Sequence, residues 1–410
     1  MTPSLRSVLF SLALVQWISF AESASGQTSI GIFEGQNDVG ETKHAGSAVF
    51  DAAAKTYTVA GGGQNMWFTN DAFHFVWKKI SGNATLAADI SFLGKGVDPH
   101  RKACLIIRQN LNSDSAYADA ALHGDGLTSL QYREIQGART YEIQSGVVAP
   151  KRLRLEKRGQ YVSISVAGED RVLRPAGGSF RLSLQEPYYI GLAVCSHNND
   201  VLEKAVFSNL ELRAEPPATA GRLLLSTLET VPLGSKDRRV VFTTTDLIES
   251  PVWTPDGTAL LYKNKGRSHR IPAVGGAPVT ADASGPKTSE DGRELSPDGK
   301  FVYFNSDRTG LMQIWKMRAD GTGEEQVTSD GYNNWFAHPS PDGKWLVFIS
   351  YEKEVRGHPA NKDVTLRIMA LEGGKIEVLA KLFGGQGTIN LPSWSPDSKK
   401  VAFVSYQFLP

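Results

Sequence analysis

The 410 residues carry 44 Lys and Arg against 43 Asp and Glu, a net charge of +1, so no global field draws the chain to nucleic acid or to an anionic membrane. The length allows two or more separately packed cores. The two cysteines, Cys104 and Cys195, are too few for a disulfide-built scaffold, and neither has the spacing of a zinc site, so no metal and no cofactor are expected.

At the start, Arg6 precedes an apolar stretch over 8–20, and the small residues Ala21, Ser23, Ala24 and Ser25 follow. This pattern reads as a secretory signal peptide over 1–25. The stretch is short for a membrane span, and no cysteine stands beside it to take a lipid. The expectation is a periplasmic or extracellular protein without a membrane span in its mature form. In such a compartment Cys104 and Cys195, both in apolar strand-like runs, are read equally well as a disulfide or as two buried thiols.

Residues 28–213 show short strand patterns broken by Gly and Asn, clearest over 73–77, 85–90, 102–108, 161–166 and 189–194. Basic residues at 151, 152, 154, 157 and 158 alternate with Leu153 and Leu155, which suits a half-buried strand with a solvated face better than a polyanion site. Many short strands without a long amphipathic pattern predict an antiparallel sandwich or jelly roll. The segment 214–221, with Pro216 and Pro217, reads as a linker to a second domain over 222–410.

That second domain repeats itself. Thr254-Pro255-Asp256-Gly257, Ser296-Pro297-Asp298-Gly299, Ser340-Pro341-Asp342-Gly343 and Ser395-Pro396-Asp397-Ser398 each precede an apolar run whose aromatic is Tyr262, Phe304, Phe348 or Phe403. Pro presets φ for the turn and Asp accepts local backbone bonds, so each tetrapeptide reverses the chain before a strand. The spacing, about 40 to 50 residues with one longer interval, is that of propeller blades. The longer interval holds a polar loop over 352–363. Further strands are expected at 271–273, 314–317 and 366–369. The half-blade at 223–243 and the half-blade at 393–405 are expected to complete one another, which removes a free sheet edge.

These copies resemble the bacterial TolB-like β-propeller family, best in SPDGKFVYFNSDRTGLMQIWKMRADGTGEEQVTS, HPSPDGKWLVFIS and LPSWSPDSKKVAFVSY. The resemblance implies a propeller, usually of six blades, whereas four are visible. Residues 281–295 are poor in strand formers and mark where blades are missing. WFTNDAFHFVWKKISGNATL, KACLIIRQNLNSDSAYADAALHGDG and PKRLRLEKRGQYVSISV resemble, more loosely, the concanavalin A-like (laminin G-like) jelly rolls of secreted bacterial proteins. The expected fold is therefore all-β, a concanavalin A-like jelly roll followed by a TolB-like propeller.

Catalytic constellations are not visible. No GxSxG motif accompanies the propeller repeats, as it does in prolyl oligopeptidase-type enzymes, and no compact acidic strand motif marks the sandwich as a glycosidase. Candidate ligand residues in the sandwich are His100, Arg101, Tyr117, His123 and Asp125, with Asp119 beside them, a polar and aromatic group suited to sugars. Loop polarity accounts for them equally well. In the propeller they are Asn334, Trp335, His338 and His358. A metal site made of His269, His338 and His358, as in propeller-type oligogalacturonate lyases, is disfavoured against separate histidines. The sequence reading is an exported, non-catalytic binding or scaffold protein whose propeller engages an envelope or extracellular protein and whose jelly roll takes carbohydrate. The alternative is a carbohydrate-active enzyme, a glycoside hydrolase or polysaccharide lyase, with a dispersed site.

Overall fold

The computed structural model describes residues 30–215, 223–281 and 292–409, and among these no helix is present. The signal-peptide reading and most of the expected linker lie outside the described residues.

Two antiparallel sheets build the N-terminal domain. The back sheet runs Arg174–Arg181, Tyr161–Ala167, Arg152–Arg158, Asn83–Leu93, Glu203–Glu215, Thr56–Gly61, Ser47–Asp51. The front sheet runs Gly35–Val39, Phe73–Ile80, Tyr188–Cys195, Lys102–Arg108, Tyr117–His123, Thr128–Arg133, Tyr141–Gln144. The inner faces supply one core that includes Leu86, Leu105, Leu130, Leu153, Leu155, Ile164 and Phe207. Each such fully buried side chain contributes about 1.5–3 kcal/mol. Leu153 and Leu155 point inward as their alternation predicts, while Arg154 and Arg158 stay partly solvated.

Three four-stranded blades follow in sequence order, beginning with Ile248–Trp253, Glu294–Leu295 and Tyr332–Pro339 respectively. A fourth, closing blade is assembled from both ends of the repeat region. Lys400–Leu409 pairs antiparallel with Leu223–Pro232 over ten residue pairs, and Arg238–Thr244 lies beyond. Thus the two half-blades do complete one another.

The Pro-Asp turns recur with one geometry. The hydroxyls of Thr254, Ser296, Ser340 and Ser395 donate to the Asp two residues on at 2.5, 2.7, 2.6 and 2.6 Å. The fourth residue is left-handed each time, Gly257, Gly299, Gly343 and Ser398 at φ +68°, +72°, +69° and +59°. Serine at the last of these accepts the Asp342 amide at 3.0 Å, a bond between two blades that glycine would forgo.

Shared apolar cores join the blades, but not all of them. Leu228 and Val404 of the closing blade pack with Ile248, Leu260 and Tyr262 of the first. Val401, Phe403 and Trp394 pack with Val347, Ile349 and Leu366 of the third. Tyr303 and Ile314 of the second pack with Leu346 and Phe348 of the third. Among the described residues no such core spans the first and second blades. That break falls at the join where the sequence is poor in strand formers.

The two domains share a sheet. Tyr141–Gln144 pairs in parallel with Arg238–Thr244, so a ten-stranded sheet runs from the sandwich into the closing blade and covers that blade's outer edge. At this seam Gly177, at φ +89°, lies so close to Val240 that an added Cβ would stand 2.6 Å from both its methyls.

Candidate functional site

Two neighbourhoods contain the candidate residues. The first is the outer face of the front sheet, where the alternation of Lys102–Arg108, Tyr117–His123 and Thr128–Arg133 points Lys102, Cys104, Asp119, His123 and Gln131 away from the main core. All are nevertheless buried, and a second apolar cluster containing Met66, Phe73, Phe75, Cys104 and Cys195 lies among them. Lys102 Nζ donates to Asn65 Oδ1 at 3.0 Å and to the Met66 carbonyl at 3.2 Å. Tyr117 donates to the same carbonyl at 3.2 Å, and its hydroxyl is pushed up by burial.

Three groups on this face have unused hydrogen-bonding capacity. Both Asp119 oxygens lack a hydrogen-bonding partner, the Cys104 thiol and Gln131 amide standing outside bonding geometry, and burial raises the carboxyl to about 8. At neutral pH Asp119 therefore holds its proton. Gln131 Nε2 donates to His123 Nε2 at 3.0 Å, which leaves the proton on His123 Nδ1, and that atom has no acceptor. Burial first, then the neighbouring Lys102, His100 and His197, hold His123 well below 6.5 and so uncharged. The Gln131 Oε1 atom is likewise unpartnered. His100 reaches this group, its ring 6.0 Å from that of His123 and 5.6 Å from that of His197.

The other sandwich candidates are occupied. Arg101 Nη1 donates to Glu203 Oε2 at 2.6 Å and its guanidinium lies over Phe92, both ion-pair partners being buried. Asp125 accepts the Leu127 amide at 3.0 Å within its own turn. Sequence reasoning placed Lys102 with His100 and Arg101 in a polar run that could line a sugar site, and it missed Gln131, which carries no motif. Both thiols are free and buried, and burial pushes each upward, Cys195 to about 11.

The second neighbourhood lies on the inner strand of the third blade. A register shift between Trp335 and His338, with Phe336 at φ +55°, turns the Trp335 and Phe336 rings onto His358, at 4.6 and 4.9 Å. His358 sits in the loop over 353–361 and its Nδ1 lies 2.6 Å from Gln386 Oε1. Tyr351 ties that loop down by donating to the Pro359 carbonyl at 3.2 Å. Asn334 is fully buried and bonds Gln313, Thr328 and Ser350.

His338 lies near the end of the strand Tyr332–Pro339 and is buried. Its Nδ1 faces Glu294 of the second blade, and its Nε2 donates to the Ile389 carbonyl of the closing blade at 2.5 Å. Its own carbonyl accepts the Trp394 indole at 2.8 Å. Both ring nitrogens face acceptors, an arrangement that favours the protonated ring. Burial opposes that charge, and the Glu294 carboxylate outweighs it to raise the imidazole above 6.5. His269, by contrast, stacks on Tyr262 in the first blade.

Residues 233–407 match the family described as PD40, TolB beta propeller domain, and the C-terminal region carries that TolB-like propeller. The uncharacterized protein Atu1656 of Agrobacterium fabrum is 42% identical over 158 residues, 38% of this chain and 53% of that protein. The Tol-Pal system protein TolB of Helicobacter hepaticus is 30% identical over 118 residues, 27% of each chain. The chain thus spans about half the length of the first relative and about a quarter of the second. The solved structure of a TolB candidate from Agrobacterium tumefaciens is similar at 30% identity, covering 46% of this chain and 99% of that one, with a TM-score of 0.39.

Proposed function

We propose that this chain is an envelope-associated, non-catalytic binding protein whose propeller engages a protein partner. The match of residues 233–407 to the TolB propeller carries the reading. The half-buried Trp335 and His358, aimed by a bulge and backed by an anchored loop, supply an aromatic contact of the kind that anchors protein interfaces. The jelly-roll sandwich is read as the carbohydrate-binding part. That part of the reading rests on the resemblance of the sequence to concanavalin A-like jelly rolls; Asp119, His123 and Gln131 keep unused hydrogen-bonding capacity but are buried beneath the segment containing Met66. Export to the periplasm or beyond belongs to the same reading.

A photo-crosslinking residue placed at 335 or 358 tests the propeller reading. One envelope protein captured at both positions, and lost when the other of the two is changed to Ala, is the expected result. Equal capture from a position on the outer strand Glu377–Gly384 would remove Trp335 and His358 from the interface. Titration with polysaccharides, read for binding and for released product together, tests the sandwich. Product release would replace binding with catalysis, and no binding would end the sugar role.

A further inference from the structure

Lys102 is buried on the outer face of the front sheet, and its amine is aimed at a side-chain amide. Its Nζ lies 3.0 Å from Asn65 Oδ1 and 3.2 Å from the Met66 carbonyl, with the Trp67 ring centre 5.3 Å away. Asn65 is fixed for this contact at two points. Its backbone carbonyl accepts the Ala72 amide at 2.7 Å, and its Oδ1 accepts the Met66 amide at 2.8 Å. The backbone donor settles which end of the side chain is oxygen, and two donors on that oxygen polarise Cγ toward a nucleophile.

A proton carrier stands alongside. Tyr117, Asp119, Ala121 and His123 lie on one face of their strand, and Lys102 pairs opposite His123. The Lys102 amine and the Tyr117 hydroxyl reach the same Met66 carbonyl from opposite ends of that row, with Asp119 and the small Ala121 between them. Both Asp119 oxygens are buried and without a hydrogen-bonding partner. Burial raises this carboxyl to about 8 against the opposing field of Lys102, so at neutral pH it has a proton to give.

We propose that Lys102 and Asn65 become joined by an intramolecular amide bond, with Asp119 as the proton carrier. Lys102 Nζ attacks Asn65 Cγ, the Nζ–Cγ bond forms and the Cγ–Nδ2 bond breaks. The proton lost by the amine passes through Asp119 to the departing nitrogen. Amine and carboxamide thus give amide and ammonia, with no oxidant, metal or second substrate needed. Burial keeps out the water that would compete for Cγ. The bond staples the segment containing Met66 to the front sheet, in a domain whose two cysteines are free. It depends on neither the partner reading nor the sugar reading.

The test is intact mass and a proteolytic map of the denatured full chain, its N-terminus determined by sequencing. The expected result is a mass lower than that of the sequence by one ammonia, with a linked peptide pair containing residues 65 and 102. Asn65→Asp should reach the same bond with loss of water in place of ammonia. Lys102→Arg and Asn65→Ala should keep their full masses. Asp119→Asn, checked for a native near-ultraviolet circular dichroism spectrum, should lower the linked fraction roughly tenfold or more. The proposal is overturned if the unaltered chain has its full sequence mass, a result that needs no variant to fold. It is also overturned if the loss of ammonia persists in Lys102→Arg, which would mean cyclisation of Asn65 onto the Met66 nitrogen. Complete linkage in folded Asp119→Asn would overturn the part given to Asp119.

Discussion

Arg238 donates through Nε and Nη2 to the two oxygens of Glu229 at 2.8 and 2.7 Å, and neither side chain meets solvent. The same guanidinium reaches the Ser179 carbonyl of the sandwich at 3.3 Å, and Ser405 of the last strand donates to Glu229. One ion pair therefore ties together the first and last strands of the propeller and the neighbouring domain. Removing one partner strands the other charge in the seam, so Glu229→Gln is expected to cost about 3–5 kcal/mol in denaturant unfolding. The double change Glu229→Leu with Arg238→Met should cost less than the sum of the two single changes. Additive losses would show that the pair is not coupled.

The His338 clamp has a pH signature. Its folded pKa is raised above 6.5, so its contribution is complete below that value and is lost as pH rises through the folded pKa. Stability should then fall with rising pH on the alkaline side of 6.5, by at most about 1.4 kcal/mol per pH unit. His338→Gln and Glu294→Gln should both flatten this dependence in melts taken across neutral pH. A slope that persists in both variants would assign it to other groups.

Ser340 is fully buried and its hydroxyl both donates to Asp342 and accepts the Trp345 amide at 2.9 Å. Ser340→Ala leaves that amide unpaired, with an expected loss of about 1–3 kcal/mol. The equivalent change at the less buried Thr254 should cost less, and equilibrium unfolding of the two variants ranks them.

Cys104 and Cys195 are held as buried thiols with raised pKa values. A thiol-specific reagent should modify neither in the native protein and both after denaturation, which counting labels by mass resolves. Fast native labelling at either position would mean that the outer face of the front sheet opens readily.

The turns, the extra loop and the pairing of the two half-blades were legible in the sequence because each rests on local chemistry: Pro and Asp in register, Gly357 and Pro359 in a polar stretch, apolar runs of strand length. The role of His338 was not. Its partners Glu294 and Ile389 lie on other blades, and nothing near residue 338 encodes them. Asp119 was read among loop-like polar residues, yet all seven residues of Tyr117–His123 are buried, because the segment containing Met66 and Trp67 packs over a face that alternation alone would assign to solvent. The parallel pairing of Tyr141–Gln144 with Arg238–Thr244 is equally hidden, since two registered residue pairs leave no pattern in either strand.

The closing blade also imposes an order of events. Leu223–Pro232 must wait for Lys400–Leu409, roughly 170 residues later, before its inner edge is paired, and contacts of that separation are slow to form. Until then its only partner is Arg238–Thr244, itself docked on a sandwich whose strands all precede it in the chain. The N-terminal domain can thus serve as a template, holding the first two propeller strands in register while the remaining blades are still being gathered.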